Sequence, residues 1–222
     1  MKKIPNPFDW YPSDFWYWPD HDEKLLQVID QVHDLDQVLP LIPNNRVCIQ
    51  AGGACGVWPL YLSLFFDKVY TFEPQPENYK CMFFNMFTND PKLMVQNIDG
   101  FEYALGEKEY GMISMNLDES EKNNSGCFYC TDGDQNRSHS IDSMDFIPSS
   151  VDFICLDVEG FEEKALRGAA KTIDRCKPVI MIEEKPLPHL KPGEHLKARE
   201  FLESLGYKEV LKIHRDVVFK IC

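Results

Sequence analysis

Short apolar runs alternate with amphipathic stretches along most of this chain. Arg46–Ala51, Lys68–Glu73 and Leu93–Ile98 read as strands, and 57–66 and Glu77–Phe87 between them carry helical spacing. After an interruption the rhythm resumes with a strand over 151–156, a helix over 160–174, a strand over Pro178–Glu183 and a helix near 193–204. Strands separated by helices at this spacing predict a mainly parallel, doubly wound α/β sheet. The last two apolar runs, Tyr207–Ile213 and Asp216–Ile221, are separated only by His214 and Arg215, so they predict an antiparallel hairpin at the end of the sheet.

Two stretches depart from this rhythm. Residues 4–19 are irregular and aromatic, with Phe8, Trp10, Tyr11, Phe15, Trp16, Tyr17 and Trp18 set among four prolines. Three readings are open: an arm packed on the core, a lid or stacking platform for a planar acceptor, or a dimer contact. A helix over 22–39 follows and stops at Pro40 and Pro43. Residues 1–45 are thus expected to form an arm plus helix ahead of one domain over 46–222. Within that domain, Phe101–Leu105 and Tyr110–Met115 read as short strands, and Asp118–Arg137 is a polar excursion with turn signals. Such excursions are functional or mobile.

Three places carry candidate chemistry. Gln50, Ala51, Gly52, Ala54 and Gly56 form a small-residue turn from strand to helix, where the backbone can come close to a ligand and the helix amides can donate to an anion. The spacing is not G-x-G-x-x-G, which argues against a nicotinamide cofactor. Glu73 ends the next strand, where a carboxylate can accept both hydroxyls of a ribose. Pro74 follows it, and Asp99, Gly100, Ala104 and Leu105 lie where an adenine would rest. Third, Asp157 follows the 151–156 strand and Glu183 ends the next one, at the carboxyl edge where open α/β sheets hold ligands. Asp157 is the first candidate for a catalytic base and Glu183 the second, while Glu159 is expected to cap a helix or bind loop backbone. A divalent metal held by Asp157 and Glu183 is an open alternative that is not expected. His139 and His214 are weaker candidates for the base. Cys127 and Cys130 have metal-type spacing without a second pair and read as loop thiols. The run Glu183-Glu184-Lys185 reads as a strand end and solvated turn, with only Glu183 aimed at the site.

These pieces together resemble the FkbM-type S-adenosylmethionine-dependent methyltransferases. The resemblance rests on Gln50–Gly56, Phe72-Glu73-Pro74 with Glu77-Asn78 and Asn85, Ala104-Leu105-Gly106, Val151–Glu162 with Leu166 and Gly168-Ala169, and Lys177-Pro178 leading to Ile182-Glu183. It implies a Rossmann-like class I methyltransferase fold, for which a parallel sheet closed by a terminal hairpin is the expected form. It also implies methylation of a hydroxyl. Gly52, Ala54 and Gly56 would lie at the cofactor's methionine part, Glu73 at its ribose, and Asp157 would face the transferred methyl. Where the family has an acid for the cofactor's ammonium this chain has Gln50, which keeps an acceptor oxygen and loses the charge.

The formal net charge of −13 makes a long nucleic acid a poor substrate. No apolar run approaches the ~20 residues of a membrane span. The amino terminus lacks a secretory signal and the eight cysteines suit a reducing compartment, so a cytoplasmic location is expected. The resulting expectation is an O-methyltransferase that uses S-adenosylmethionine and a small hydroxylated acceptor of sugar, nucleoside or natural-product type. The alternative is a catalytically weak or inactive module of the same fold kept for binding or assembly.

Overall fold

A computed structural model describes residues 1–87, 96–117 and 121–221. The arm contains a two-stranded antiparallel ribbon, β1 (Lys2–Pro5) with β2 (Phe15–Trp18), followed by the helices α1 (Leu25–Gln31) and α2 (Leu35–Val38). The alternating region then gives β3 (Val47–Ala51), α3 (Val57–Leu62), β4 (Lys68–Phe72), α4 (Pro76–Phe87) and β5 (Ile98–Phe101). A smaller sheet interrupts it, made of β6 (Ala104–Leu105), β7 (Gly111–Leu117), β8 (Phe128–Asp132) and β9 (Asn136–His139). The chain returns with β10 (Phe153–Leu156), α5 (Glu162–Arg167), α6 (Ala170–Cys176), β11 (Val179–Glu183) and α7 (Lys197–Ser204). It ends in the hairpin β12 (Tyr207–Ile213) and β13 (Asp216–Ile221).

The main sheet has the order β12-β13-β11-β10-β3-β4-β5. Its five strands from β11 to β5 are parallel, and β13 pairs antiparallel with both β11 and β12. The order runs outward in both directions from β3 and β10, so the carboxyl ends of these two strands form the switch point where such sheets hold ligands. Strand alternation builds the core on both faces. Cys48, Val69, Phe153 and Met181 face α3, α4 and the arm, whereas Ile49, Phe72, Ile154 and Ile182 face the side of α5 to α7.

The structure decides among the three readings of the arm and changes three other expectations. The arm's aromatics are core-covering: Phe8, Tyr11, Trp16 and Trp18 are buried, and Asn85 of α4 bonds β2 as a strand would, accepting from Tyr17 N at 2.7 Å and donating to Tyr17 O at 2.9 Å. The polar excursion contributes two strands, β8 and β9, which alternation missed because both are short and half-exposed. The helix expected over 160–174 breaks at Gly168, whose position leaves no room for a side chain: a Cβ there would lie 1.9 Å from the carbonyl oxygen of Gly106. The third strand is expected over Leu93–Ile98, of which 93–95 fall outside the described residues; the observed strand begins at Ile98 and runs to Phe101.

Candidate active site

A cavity of about 520 Å³ opens at the carboxyl ends of β3, β4, β10 and β11, well within the ~300–1,000 Å³ usual for small-molecule sites. Its floor is the turn after β3. Gly52 adopts φ +83°, and a Cβ there would lie 1.8 Å from the carbonyl oxygen of Asp157. Only glycine allows both the left-handed backbone and this approach. The turn is tied to its neighbours: Gly52 N and Gly53 N donate to Phe72 O, and Asp157 N donates to Ala51 O.

Glu73 lines the cavity although it is only 5% exposed. Its Oε2 accepts Ala54 N at 2.7 Å and its Oε1 accepts Gln75 N at 2.8 Å. Each carboxylate oxygen has a second lone pair, so both remain able to accept from a ligand hydroxyl. Burial pushes this carboxyl up to about 7, against the pull of the two backbone donors. Pro74, Ala104 and Leu105 continue the wall beside it.

Two further acids of the lining sit on the loop Asp157-Val158-Glu159-Gly160. Glu159 (φ +52°) and Gly160 (φ +95°) turn this loop sharply. Its shape is held by Glu162, a buried residue whose Oε1 accepts Val158 N at 3.1 Å and Gly160 N at 3.2 Å. The backbone-binding role expected of Glu159 therefore belongs to Glu162. Glu159 instead meets Lys185, whose Nζ lies 3.1 Å from both of its carboxylate oxygens. Asp157 is open to the cavity, and it, Glu159 and Glu183 bring carboxylate oxygens within 4.8 Å of one another. Burial, then the neighbouring Asp157 and Glu159, push Glu183 up to about 9; burial and Asp157 push Glu159 up to about 7. Asp157 itself, although open to the cavity, is raised by desolvation against its walls, and Lys185 opposes the shift.

A model of the family described as the methyltransferase FkbM domain matches residues 53–209. The chain belongs to the FkbM methyltransferase family. Its fold is similar to the crystal structure of methyltransferase FkbM from Methylobacillus flagellatus KT, with 18% identity, a TM-score of 0.56 and coverage of 80% of this chain and 43% of that one. This chain thus spans less than half the length of that structure. A SAM-dependent methyltransferase from Aquifex aeolicus aligns at 16% identity and a TM-score of 0.51 over 91% of this chain and 95% of its own. A putative rRNA methylase from Clostridium thermocellum aligns at 12% identity and a TM-score of 0.55 over 88% and 96%. No curated protein matches the chain. The fold is the class I S-adenosylmethionine-dependent methyltransferase fold.

Not every residue expected at the site of this FkbM family member reaches the cavity. Ala51, Gly52, Ala54, Glu73, Pro74, Ala104, Leu105, Asp157 and Glu183 line it; Gln50, Gly56, Asp99 and Gly100 do not. Asp99 and Gly100 lie inside β5, because that strand runs on to Phe101, and Asp99 pairs with Lys68 at 2.8 Å. Gly56 caps α3 and packs against Met82. Gln50 is buried, donating to Gly52 O at 3.0 Å and accepting from Thr71 Oγ1. An amide satisfies both neighbours, whereas a carboxylate would set an oxygen against the Gly52 carbonyl. His139 and His214 lie off the cavity, and Cys127 and Cys130 line it as free thiols.

Several lining residues carried no motif. None of the arm's aromatics lines the cavity, but Trp58 does, and so do Lys24, Val28 and Gln31 from α1 and the residue before it. The 121–127 segment is clasped to the arm: the buried Asp22 accepts from Ser125 N at 2.8 Å and from its hydroxyl, and Asn78 donates to Ser125 O at 2.8 Å. Tyr129 and His189 stack with ring centroids 3.6 Å apart and close another side. Lys185 was legible in principle. It lies two residues beyond Glu183, and strand alternation puts 183 and 185 on one face.

The buried acids set a pH dependence. Glu73, Glu159, Glu162 and Asp216 are each raised to about 7, chiefly by burial, and Glu183 to about 9. Unfolded carboxyls release their protons near 4. From about pH 4.5 upward the native state therefore holds protons that the unfolded chain has lost, and stability falls as pH rises. Acids with lowered values, such as Asp152 beside Arg46, act the other way only at lower pH. The ligand-free protein is expected to melt several degrees higher at pH 5.5 than at pH 8. A melting temperature that is flat or rising over that interval in scanning calorimetry would contradict these shifts.

Proposed function

We propose that this chain is an O-methyltransferase that uses S-adenosylmethionine and a small hydroxylated acceptor. The observation that carries the reading is one cavity lined both by the buried Glu73 and by the open carboxylate of Asp157. The residues fit the cofactor: the glycine turn admits a ligand close to backbone, and both oxygens of Glu73 keep a lone pair for ribose hydroxyls. When bound, the cofactor supplies an electrophilic methyl on sulfonium. The chain's own task is then alignment, which can be worth ~7–11 kcal/mol, together with acceptance of the acceptor's proton by Asp157. Glu183, held protonated by its surroundings at neutral pH, is placed to donate a hydrogen bond to an acceptor oxygen. Trp58, Tyr129 and His189 line the space with aromatic rings. Hydroxyl chemistry fits this equipment because an attacking alcohol must lose a proton.

A second reading, a binding module without turnover, draws support from Gln50, whose amide is used internally and offers the cofactor's ammonium no charge. The test is calorimetry with S-adenosylhomocysteine, then labelled methyl transfer to a panel of sugars, nucleosides and matched amines. Binding with transfer to hydroxyls is the expected result. Binding without any transfer favours the module, and absence of binding overturns both readings.

A further inference from the structure

The trio Asp157, Glu159 and Glu183 has the spacing of a divalent-cation site, with one oxygen from each within 4.8 Å of the others. The structure also places a cation there. Lys185 Nζ is 3.1 Å from each oxygen of Glu159 and 3.9 Å from Glu183 Oε2, and the three side chains are only 20%, 11% and 14% exposed. We infer that Lys185 is the resident cation of this methyltransferase site, filling the position a metal ion would take and holding the acid loop in its working geometry.

Three observations support this. Lys185 lies two residues past the end of β11 at Glu183, so the strand and the fixed Glu184 between them set where its stem begins. The next acid along, Glu184, is turned away and clamped by Arg199 at 2.7 and 2.9 Å, which fixes the backbone between Glu183 and Lys185. Glu184 N also donates to Arg215 O, which ties this stretch to the terminal hairpin. Around the ammonium stand Glu159 from the loop after β10 and Glu183 from β11, and Asp157 of the same loop is near enough to feel its charge. Arg215 lines the same cavity but is exposed and forms no ion pair among the described residues, so of these two cations it is Lys185 that is seated against the acids. A buried ammonium and a divalent ion cannot share one set of oxygens, because like charges at this separation repel strongly in a partly desolvated site. Lys185 is a positioning residue in this scheme, acting on the acceptor through Asp157 and Glu159.

The inference rests on the proposed function only for its catalytic consequence, since the exclusion of metal concerns charge and geometry. The test is Mn²⁺ titration of the whole protein, read by calorimetry and electron paramagnetic resonance. The wild type is expected to show no cavity site. Lys185→Met should gain one at least about tenfold tighter than any Mn²⁺ site of the wild type. The gain should vanish in Lys185→Met/Glu159→Gln, and Lys185→Arg should behave as wild type. Thermal melts and S-adenosylhomocysteine binding report whether each variant is folded. A wild-type Mn²⁺ site that Glu159→Gln removes would overturn the inference, and this holds even if Lys185→Met does not fold. A folded Lys185→Met that gains no site would overturn it as well. Failure of the wild type to bind S-adenosylhomocysteine would count against the proposed function and leave the Mn²⁺ result standing.

Discussion

Glu73→Ala is expected to weaken S-adenosylhomocysteine binding about 100-fold, or about 2.7 kcal/mol. The estimate follows from hydrogen bonds to a charged group, each worth about 1.5–3 kcal/mol. On the proposed reading the alanine variant loses the bonds to both ribose hydroxyls. It also frees Ala54 N and Gln75 N, which Glu73 now holds at 2.7 and 2.8 Å, so the floor of the cavity relaxes as well. Glu73→Gln is not a mild change here. Each carboxylate oxygen already accepts a backbone N–H, so an amide must point its own donor at one of them. The glutamine variant should therefore lose about tenfold or more. Isothermal calorimetry at pH 8, where the carboxylate is ionised, decides the matter. Affinity within about threefold of wild type for Glu73→Ala would remove this residue from the cofactor site.

Much of this arrangement was legible before any coordinates. The periods of two and 3.6 residues locate the strands of the main sheet other than β5, and a hairpin with only His214 and Arg215 between its runs leaves no other pairing. Glu73 and Asp157 could be picked out because each follows a strand, and strand ends in a parallel sheet converge. Asp99 and Gly100 were misplaced because β5 runs on to Phe101 through polar and small residues that carry no hydrophobic signal. Gln50 was aimed at the ligand because strand position gives the end of the sheet and not the partner a side chain chooses. The residues that close the cavity, Trp58, Tyr129, His189 and the Asp22–Ser125 clasp, come from segments far apart in sequence. Their meeting depends on how the arm and small sheet pack, which no local spacing encodes. Lys185 is the instructive miss, because its alternation with Glu183 was visible but a charged run after a strand usually points to solvent.

Asp157→Asn separates binding from chemistry. The two side chains have nearly the same shape, so the cavity keeps its volume and the loop, held by Glu162, keeps its course. Affinity for S-adenosylhomocysteine, which is neutral at sulfur, should stay within about threefold of wild type. Methyl transfer to the best acceptor of the panel should fall by about 10²–10⁴, the usual worth of a positioned base. The pH dependence sharpens this. Desolvation inside the cavity raises Asp157, so its active, ionised form grows as pH rises, and the wild-type rate should climb through that titration. The asparagine variant should lose that limb of the profile along with the rate. If the rate survives and only the limb moves, Glu183, released from the charge of Asp157 and so ionising at lower pH, has taken over as base. If both survive unchanged, the reaction needs no base at this position and alignment alone carries it.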